Sequence, residues 1–181
     1  MLDKVTLRKQ IRAAKAAVPF CTKKALSATI MDQVAALPQF VAAQTVLMYW
    51  SMDDEVQTHD FVDCWYRDKT ILLPCVDGDN LLLRQYTGRD CLREGDQFGI
   101  GEPTGAIFDN LQAIDIIIVP GVAFDTSGNR MGRGRGFYDR LLSTTPNAYK
   151  VGVAFGFQMV PQVPTEPHDL PMDKVIFSHC I

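Results

Sequence analysis

Long apolar runs and paired cysteines are both missing from this sequence. The 181-residue chain has no stretch of the roughly 20 apolar residues that a membrane-spanning helix needs. Its first residues, MLDKVTLRKQIRAAK, are charged and lack the apolar core of a secretory signal. The five cysteines are odd in number and form no Cys-x-x-Cys pair, which disfavours a disulfide framework or a structural zinc site. These absences predict a cytoplasmic protein with reduced thiols and no membrane partner.

Excess positive charge is missing as well. Hydrophobic residues make up 47% and charged residues 22% of the chain, which is ordinary for a globular protein. The formal net charge is −3 and the pI is about 5.5, whereas a general nucleic-acid-binding domain is usually basic. The composition therefore predicts no nucleic-acid partner. The absence of repeats and linkers predicts one domain over residues 1–181, which is long enough for a substantial core.

Helical and strand patterns alternate along the chain. The predicted helices cover 3–18, 22–36, 59–68 and 137–143. The predicted strands cover 45–50, 70–76, 81–86, 114–119, 150–157 and 174–178. Residues 88–110 are expected to form a long loop region. The alternation predicts an α/β fold, a single three-layer domain with a mainly parallel sheet and helices on both faces.

Residues 120–140, PGVAFDTSGNRMGRGRGFYDR, form the most unusual stretch because acidic residues are absent from Ser127 to Gly136. Glycine and arginine alternate there instead. Glycines let the backbone approach a ligand, and guanidinium groups match phosphate oxygens. The stretch follows a buried strand, where ligands of α/β sheets collect, and a helix starting near Phe137 would add its positive end. The pattern predicts a phosphate-binding loop; a mobile solvated basic loop or an Arg/Gly nucleic-acid contact is the alternative.

Both common nucleotide fingerprints are absent from this loop. A P-loop requires Gly, four residues and then Gly-Lys-Ser/Thr, and no such string occurs. The dinucleotide pattern would need a glycine at position 137, where Phe137 stands. The sequence therefore disfavours a standard P-loop enzyme and a standard nicotinamide dehydrogenase.

Four cations lie on one side of the predicted first helix, and no acidic residue follows at i+4 to pair with them. Arg12 and Lys15 are interpreted as a solvated face. Lys4 and Arg8 lie one helical turn apart, so they can face a single anion, although a solvated pair is equally compatible with the pattern.

The loop, taken with several shorter strings, resembles the 5-formyltetrahydrofolate cyclo-ligase family, also called methenyltetrahydrofolate synthetases. The strings are Lys4-Val-Thr-Leu-Arg8, Ser51-Met-Asp-Asp-Glu-Val56, Gly99-Ile-Gly-Glu-Pro103, and Pro164-Thr-Glu-Pro-His-Asp169 with Asp173. The resemblance spans essentially the whole chain. It implies an enzyme that converts 5-formyltetrahydrofolate and ATP to 5,10-methenyltetrahydrofolate, ADP and phosphate, through phosphorylation of the formyl oxygen. A monomer is expected, although the sequence does not fix the oligomeric state. It also implies Mg²⁺ as a cofactor.

The resemblance assigns roles residue by residue. It implies ATP binding by Lys4, Arg8, Arg130, Met131, Gly132, Arg133, Gly134, Arg135, Gly136, Phe137 and Tyr138. Arg133 and Arg135 are the implied catalytic cations, and both, with Gly134, Gly136 and Phe137, also approach the folate. Many relatives carry lysine at position 135, so Arg135 keeps the charge but changes its shape.

Two further pairs of residues match family positions. Trp50 and Glu55 match family positions that contact the folate. The Glu55 carboxylate could accept hydrogen bonds from the N–H groups of the pterin. Many relatives have a smaller apolar residue at position 50, and Trp50 is equally suited to closing the core. Asp139 and Asp173 match magnesium positions, since hard oxygen ligands suit that ion. For Asp139, stabilisation of a helix end is an equal alternative.

No other catalytic constellation stands out. His59, His168 and His179 lack metal-ligand spacing, and a structural hydrogen-bonding role is expected for His168. The alternatives to a cyclo-ligase are another Mg-ATP small-molecule phosphotransferase, a non-catalytic folate- or nucleotide-binding relative, and an RNA-binding module. The matching charged positions disfavour loss of activity, and the acidic pI disfavours RNA binding.

Overall fold

The protein was analysed as a computed structural model, which describes residues 3–95, 100–167 and 169–178. The helices are, in chain order, α1 (Lys4–Ala17), α2 (Phe20–Ala35), α3 (Pro38–Ala42), α4 (His59–Trp65) and α5 (Phe137–Ser143). The strands are β1 (Thr45–Leu47), β2 (Thr70–Asp77), β3 (Asn80–Gln85), β4 (Leu92–Glu94), β5 (Gly101–Pro103), β6 (Ile116–Val119), β7 (Ala123–Phe124), β8 (Arg130–Met131), β9 (Tyr149–Ala154) and β10 (Lys174–Phe177). Among the described residues, no helix is long and apolar enough to cross a membrane.

Six strands form the central sheet in the order β10-β9-β6-β1-β2-β3. All neighbouring pairs are parallel except β2 and β3, which are joined antiparallel by a tight turn containing Gly78 at φ 59°. Residues in alternating positions serve opposite faces: Ile116 and Ile118 belong to one core cluster, and Ile117 and Val119 to the other. The predicted α/β architecture is thereby confirmed.

Helices cover both faces of this sheet. The first core cluster packs strand residues against α2, α3 and α4. The second packs the opposite face against α5, through Leu141 and Leu142. Both faces are covered because each parallel strand is followed by a crossover that must return along one face or the other.

The first helix docks away from the central sheet. Asp3 caps α1 by accepting hydrogen bonds from the backbone N–H groups of Val5 and Thr6, each at 2.9 Å. On the inner side of the helix, Leu7 and Ile11 are buried in a third core cluster, together with the β7–β8 hairpin. This packing brings the start of α1 to residues 120–136, which we call the Gly/Arg loop.

Several predicted boundaries were wrong. A short helix that was not predicted, α3, follows the second helix and begins at Pro38, whose missing N–H would have no partner in the first turn of a helix. Residues 48–50 lie outside β1, residues 66–68 lie outside α4, and residues 156–158 form a 3₁₀ turn after β9. The expected loop over 88–110 contains the β4–β5 hairpin. Arg130 and Met131, expected within a loop, pair with Phe124 and Ala123.

Candidate active site

A cavity of about 430 Å³ opens at the edge of the sheet where the parallel strands end. Its walls come from residues just after β1 and β6, from the ends of β2 and β3, from α1 and from the Gly/Arg loop. Nearly all the predicted site residues line it: Lys4, Arg8, Trp50, Glu55, Arg130, Met131, Gly132, Arg133, Gly134, Arg135, Gly136, Phe137, Tyr138 and Asp139. The fold therefore brings together segments that lie more than 120 residues apart in the sequence.

The Gly/Arg loop owes its shape to Asp125, a buried residue that the sequence analysis did not single out. The Asp125 carboxylate accepts the backbone N–H groups of Ser127 and Asn129 at 3.0 Å and that of Val163 at 2.9 Å. These bonds lower the pKa of Asp125, against the effect of its burial, which would raise it. The signal was available in the sequence, because Asp-Thr-Ser-Gly-Asn is a typical turn string.

Two glycines shape the end of the loop next to the cavity. Gly134 has φ 103° and Gly136, which precedes α5, has φ 68°, so both adopt backbone conformations that other residues rarely take. A Cβ atom on Gly134 would lie 3.5 Å from the guanidinium group of Arg8. The loop backbone and α1 are therefore in close approach at this point.

The two cations of α1 reach the cavity as predicted, but neither is without a partner. Arg8 Nε donates a hydrogen bond to the backbone oxygen of Gly132 at 3.0 Å. Lys4 Nζ lies 2.9 Å from a Glu166 carboxylate oxygen and 3.1 Å from one of Asp169. Lys4 thus links α1 to the C-terminal segment beside the cavity.

Arg130 forms an ion pair with Asp139. Its NH2 group donates to Asp139 Oδ1 at 2.7 Å, and its NH1 group donates to the backbone oxygen of Pro120 at 3.2 Å. The guanidinium also lies over the Tyr138 ring, 5.6 Å from its centroid. Within the described part of the chain, no acceptor lies in hydrogen-bonding range of the buried Arg130 Nε. The local sequence suggested an unpaired arginine, but the fold supplies Asp139 from the next helix.

Arg133 forms the centre of a second ionic group. Its NH2 group lies 2.7 Å from Asp54 Oδ1 and 3.2 Å from Glu55 Oε1. On the other side of Asp54, Lys15 Nζ lies 3.4 Å from Oδ2. We call Lys15, Asp54, Glu55 and Arg133 the ionic cluster.

The expectation that Lys15 is solvated was wrong, since it is only 5% exposed. The face of α1 that carries Lys15 turns toward the loop after β1, where Asp54 supplies the partner carboxylate. A search for acidic residues four positions along the helix could not find this partner, because it lies in a distant segment. Burial lowers the pKa of Lys15, and Asp54 opposes that effect. Partial burial would raise the pKa of Asp54, but Lys15 and Arg133 together hold it below its ordinary value. Arg12, by contrast, is exposed as predicted.

Glu55 is buried in the cavity wall, at 8% exposure. Its Oε2 atom accepts the backbone N–H of Met52 at 3.0 Å, and Arg133 contacts Oε1. Burial raises the pKa of Glu55, although these two contacts act in the opposite direction. A carboxylate in such surroundings gains from further N–H donors, which a ligand can supply.

Trp50 lines the cavity and stacks on His59, with ring centroids 3.9 Å apart and an angle of 14° between the planes. His59 is itself held by a 3.0 Å contact between Nε2 and the backbone oxygen of Ser51. His59 was not predicted as a site residue. The structure thus places Trp50 both against the first core cluster and at the cavity wall, which the sequence analysis had set as alternatives.

The remaining predicted positions are divided between cavity and core. Tyr138 packs against the second core cluster, and burial raises the pKa of its hydroxyl. Met131 is buried in the third cluster, against α1. Glu102 lines the cavity and accepts the Val76 N–H at 3.0 Å, which ties the β4–β5 hairpin to β2. Gly99 of the matched string, His168 and His179 lie outside the described residues.

Asp173 is not brought to the cavity. It lies just before β10, where its Oδ2 accepts the Lys150 N–H at 2.7 Å while its own N–H donates to the Lys150 oxygen at 2.9 Å. Because β9 and β10 are parallel and both begin here, Asp173 occupies the edge of the sheet opposite the cavity. Across the ranges described, no group of three or more His, Cys, Asp or Glu side chains could hold a metal ion. The fold therefore separates the two carboxylates that the resemblance assigned to magnesium.

A mainly parallel α/β sheet with an arginine-lined cavity at its carboxyl edge defines an α/β protein whose cavity lies where ligands of such sheets bind. The particular family follows from comparison with known proteins. The model of the 5-formyltetrahydrofolate cyclo-ligase family matches residues 1–178, and the chain belongs to that family.

Relatives and solved structures agree with this assignment. The chain is 30% identical to the 5-formyltetrahydrofolate cyclo-ligase of Haemophilus influenzae over 178 residues, which cover 94% of this chain and 95% of the relative. It is 35% identical to the Escherichia coli K12 enzyme of the same name over 148 residues, or 77% and 80% of the two chains. The NMR structure of Aquifex aeolicus 5,10-methenyltetrahydrofolate synthetase superimposes with a TM-score of 0.86 and 34% identity, covering 96% of this chain and 89% of that one. The Mycoplasma pneumoniae synthetase does so with a TM-score of 0.79 and 26% identity, covering 97% and 98%.

Proposed function

We propose that this protein catalyses the ATP-dependent cyclisation of 5-formyltetrahydrofolate to 5,10-methenyltetrahydrofolate, with release of ADP and phosphate, in the cavity at the carboxyl edge of the sheet. The observation that carries the proposal is the meeting of three segments there. The Gly/Arg loop, the cations of α1 and the Trp50–Glu55 wall line one cavity, although they come from opposite ends of the chain. Membership of the cyclo-ligase family supplies the reaction.

The loop side of the cavity suits the triphosphate. Arg8 approaches the loop from α1, Arg133 projects from the loop itself, and Gly134 between the loop arginines is exposed. Phosphoryl transfer asks the protein for positioning and charge neutralisation more than for covalent chemistry. We assign that work to Arg133 and Arg135, with Lys4, Arg8 and Arg130 completing the positive wall.

The opposite wall suits the folate. The Glu55 carboxylate faces the cavity with one oxygen already bound to the Met52 N–H, so its remaining lone pairs are oriented for pterin N–H donors. Trp50 lines the cavity beside it, with its ring held by stacking on His59. With the pterin on Glu55 and the triphosphate on the loop, the formyl oxygen lies between them, next to Arg133. Its attack on the γ-phosphorus forms a phosphorylated imidate and releases ADP. N10 then attacks that activated carbon, which closes the ring, and the N10 proton is released to water. Cleavage of the bond between that carbon and the phosphorylated oxygen expels phosphate and leaves the methenyl product.

Magnesium dependence stays a prediction from the family resemblance. Of its two predicted ligands, Asp139 alone lines the cavity, where it is paired with Arg130. No step above depends on that ion.

The experiment that tests the function is direct. The protein is mixed with 5-formyltetrahydrofolate, ATP and magnesium, and the near-ultraviolet absorbance of the methenyl product is followed together with ADP release. We expect one ADP per methenyl product. Arg133→Ala should lose most of this turnover, about a hundredfold or more, because it removes a donor aimed at developing charge. Arg12→Ala, which removes an exposed cation from α1, should retain it. Absence of product at high protein concentration contradicts the proposal.

A further inference from the structure

The ionic cluster poses a problem for Arg133. In the ligand-free protein its guanidinium is bound by two carboxylates, at 2.7 Å to Asp54 and 3.2 Å to Glu55. To serve ATP, the same guanidinium must turn toward phosphate oxygens. The internal carboxylates therefore compete with ATP for Arg133.

Releasing Arg133 leaves two negative groups behind. Glu55 is buried, so the loss of its counter-ion is costly, whereas the Asp54 side chain is 41% exposed and water offsets part of that cost. A cluster that held only Asp54, Glu55 and Arg133 would keep the arginine in place. The exchange becomes feasible when another cation stays with the carboxylates.

Lys15 is placed to be that cation. Its side chain is nearly fully buried between α1 and the loop after β1, and its Nζ contacts the Asp54 oxygen that Arg133 does not use. Lys15 is not among the residues that line the cavity, so its contacts lie with Asp54 rather than with a ligand. Before ATP binds, the positive charges of Lys15 and Arg133 balance the negative charges of the two carboxylates. After Arg133 has turned to ATP, Lys15 still neutralises one of those two negative charges.

We propose that Lys15 is a positioning residue for the cyclisation: it supplies the permanent counter-charge to Asp54 that lets Arg133 exchange the carboxylates for the phosphates of ATP. This inference rests on the proposed function. It also couples the two substrates. When the N–H groups of the folate bind Glu55, they replace one of the two contacts that hold Arg133, so folate binding should tighten ATP binding and, by reciprocity, the converse.

The test compares Lys15→Met with Arg12→Met, which removes an exposed cation from the same helix. In Lys15→Met, Asp54 and Glu55 depend on Arg133 alone, so the KM for ATP should rise on the order of tenfold. The KM for folate should change much less, since Lys15 does not contact Glu55 directly. Arg12→Met should match the wild type in both constants.

A double-mutant cycle separates this role from a merely structural one. Adding Asp54→Asn to Lys15→Met removes the nearer of the two carboxylates that hold Arg133, so the KM for ATP should fall back toward the wild-type value. Asp54→Asn alone should leave that KM unchanged or lower it, which keeps the inference testable if Lys15→Met does not fold. A general packing defect would instead make the double variant at least as poor as Lys15→Met.

Three results would overturn the inference: an ATP KM in Lys15→Met equal to that of Arg12→Met, no recovery in the double variant, or a raised ATP KM in Asp54→Asn alone. These outcomes are distinct from failure of the proposed function. A wild-type protein that makes no methenyl product contradicts the function itself, whereas an active wild type with any of the three results contradicts only the role of Lys15.

Discussion

At the scale of single residues, four of the cations around the cavity already contact internal acceptors. Lys4 contacts Glu166 and Asp169, Arg8 contacts the loop backbone, Arg130 contacts Asp139, and Arg133 contacts Asp54 and Glu55. The loop itself contains no acid from Ser127 to Gly136, so all these carboxylates come from elsewhere in the fold. The positive wall is therefore held in place by contacts that a ligand must partly replace.

Glu55 gives a prediction at this scale. Its carboxylate must be ionised to accept N–H donors, and burial raises its pKa above the ordinary value of 4.5. As the pH is lowered, the kcat/KM for folate should therefore begin to fall at a higher pH than it would if the essential carboxylate were an exposed glutamate. Glu55→Gln should weaken folate binding about tenfold to a hundredfold, since it replaces a charge-assisted acceptor, and should remove this acid limb. The measurement is the kcat/KM for folate between about pH 4 and about pH 8, a range that includes the pH values at which carboxyl groups with raised pKa values titrate.

The same group affects stability with a definite sign. Because its folded-state pKa is raised, Glu55 in the folded protein holds its proton at pH values where the unfolded chain has released it. The free energy of unfolding should therefore decrease as pH rises from 4.5 through the raised pKa, and Glu55→Gln should remove that contribution. If the acid limb of the kcat/KM profile for folate persists unchanged in Glu55→Gln, that limb belongs to another carboxyl group.

At the scale of elements, the Gly/Arg loop combines three local devices. The Asp125 turn closes the β7–β8 hairpin, Gly134 brings the backbone close to Arg8, and Gly136 precedes α5 as its N-cap residue. The turn and the two glycines together set the successive backbone directions of the loop.

Gly134→Ala tests that shape. Its φ of 103° is costly for alanine, about 1–3 kcal/mol, and the added methyl group would meet the Arg8 guanidinium. We expect a loss of stability together with a several-fold rise in the KM for ATP. Gly78→Ala is the matched control, because Gly78 also has a positive φ, 59°, but a Cβ there meets nothing within 4 Å. Calorimetry and ATP titration should show similar destabilisation in both variants and a raised KM in Gly134→Ala alone.

Asp173 gives a second prediction for an element. Its carboxylate and N–H both bind Lys150, so it fixes the start of β10 against β9. Asp173→Asn should lower the free energy of unfolding by about 1–3 kcal/mol, because a charged acceptor of a backbone N–H is weakened. The magnesium concentration at half-maximal rate should stay as in the wild type. A marked shift of that concentration would instead support the magnesium role that the family resemblance assigns to Asp173.

At the scale of the whole molecule, what the sequence could predict depended on the range of the interaction. The α/β architecture and the position of the loop after β6 follow from local patterns, namely alternating apolar segments and a Gly/Arg string. The partner of Lys15 could not be predicted, since Asp54 lies 39 residues away and meets it only through the docking of α1. The separation of Asp173 from Asp139 was equally hidden, because it depends on which end of β10 lies at the cavity. Family resemblance supplied the site residues where local patterns could not.

The docking of α1 places Lys4 and Arg8 beside the cavity, and Leu7 tests this link. Leu7 is buried against the β7–β8 hairpin, and the packing places Lys4 and Arg8 beside the loop. Leu7→Ala should cost about 2–5 kcal/mol at that contact and raise the KM for ATP, because α1 would spend part of its time undocked. Hydrogen exchange should quicken in α1 more than in β6 or β9. Val5→Ala, at a position 74% exposed on the same helix, should change stability by no more than about 0.5 kcal/mol. If Leu7→Ala instead loosens α1 and the central sheet equally while the KM for ATP stays constant, the helix is a structural part of the core and takes no part in ATP binding.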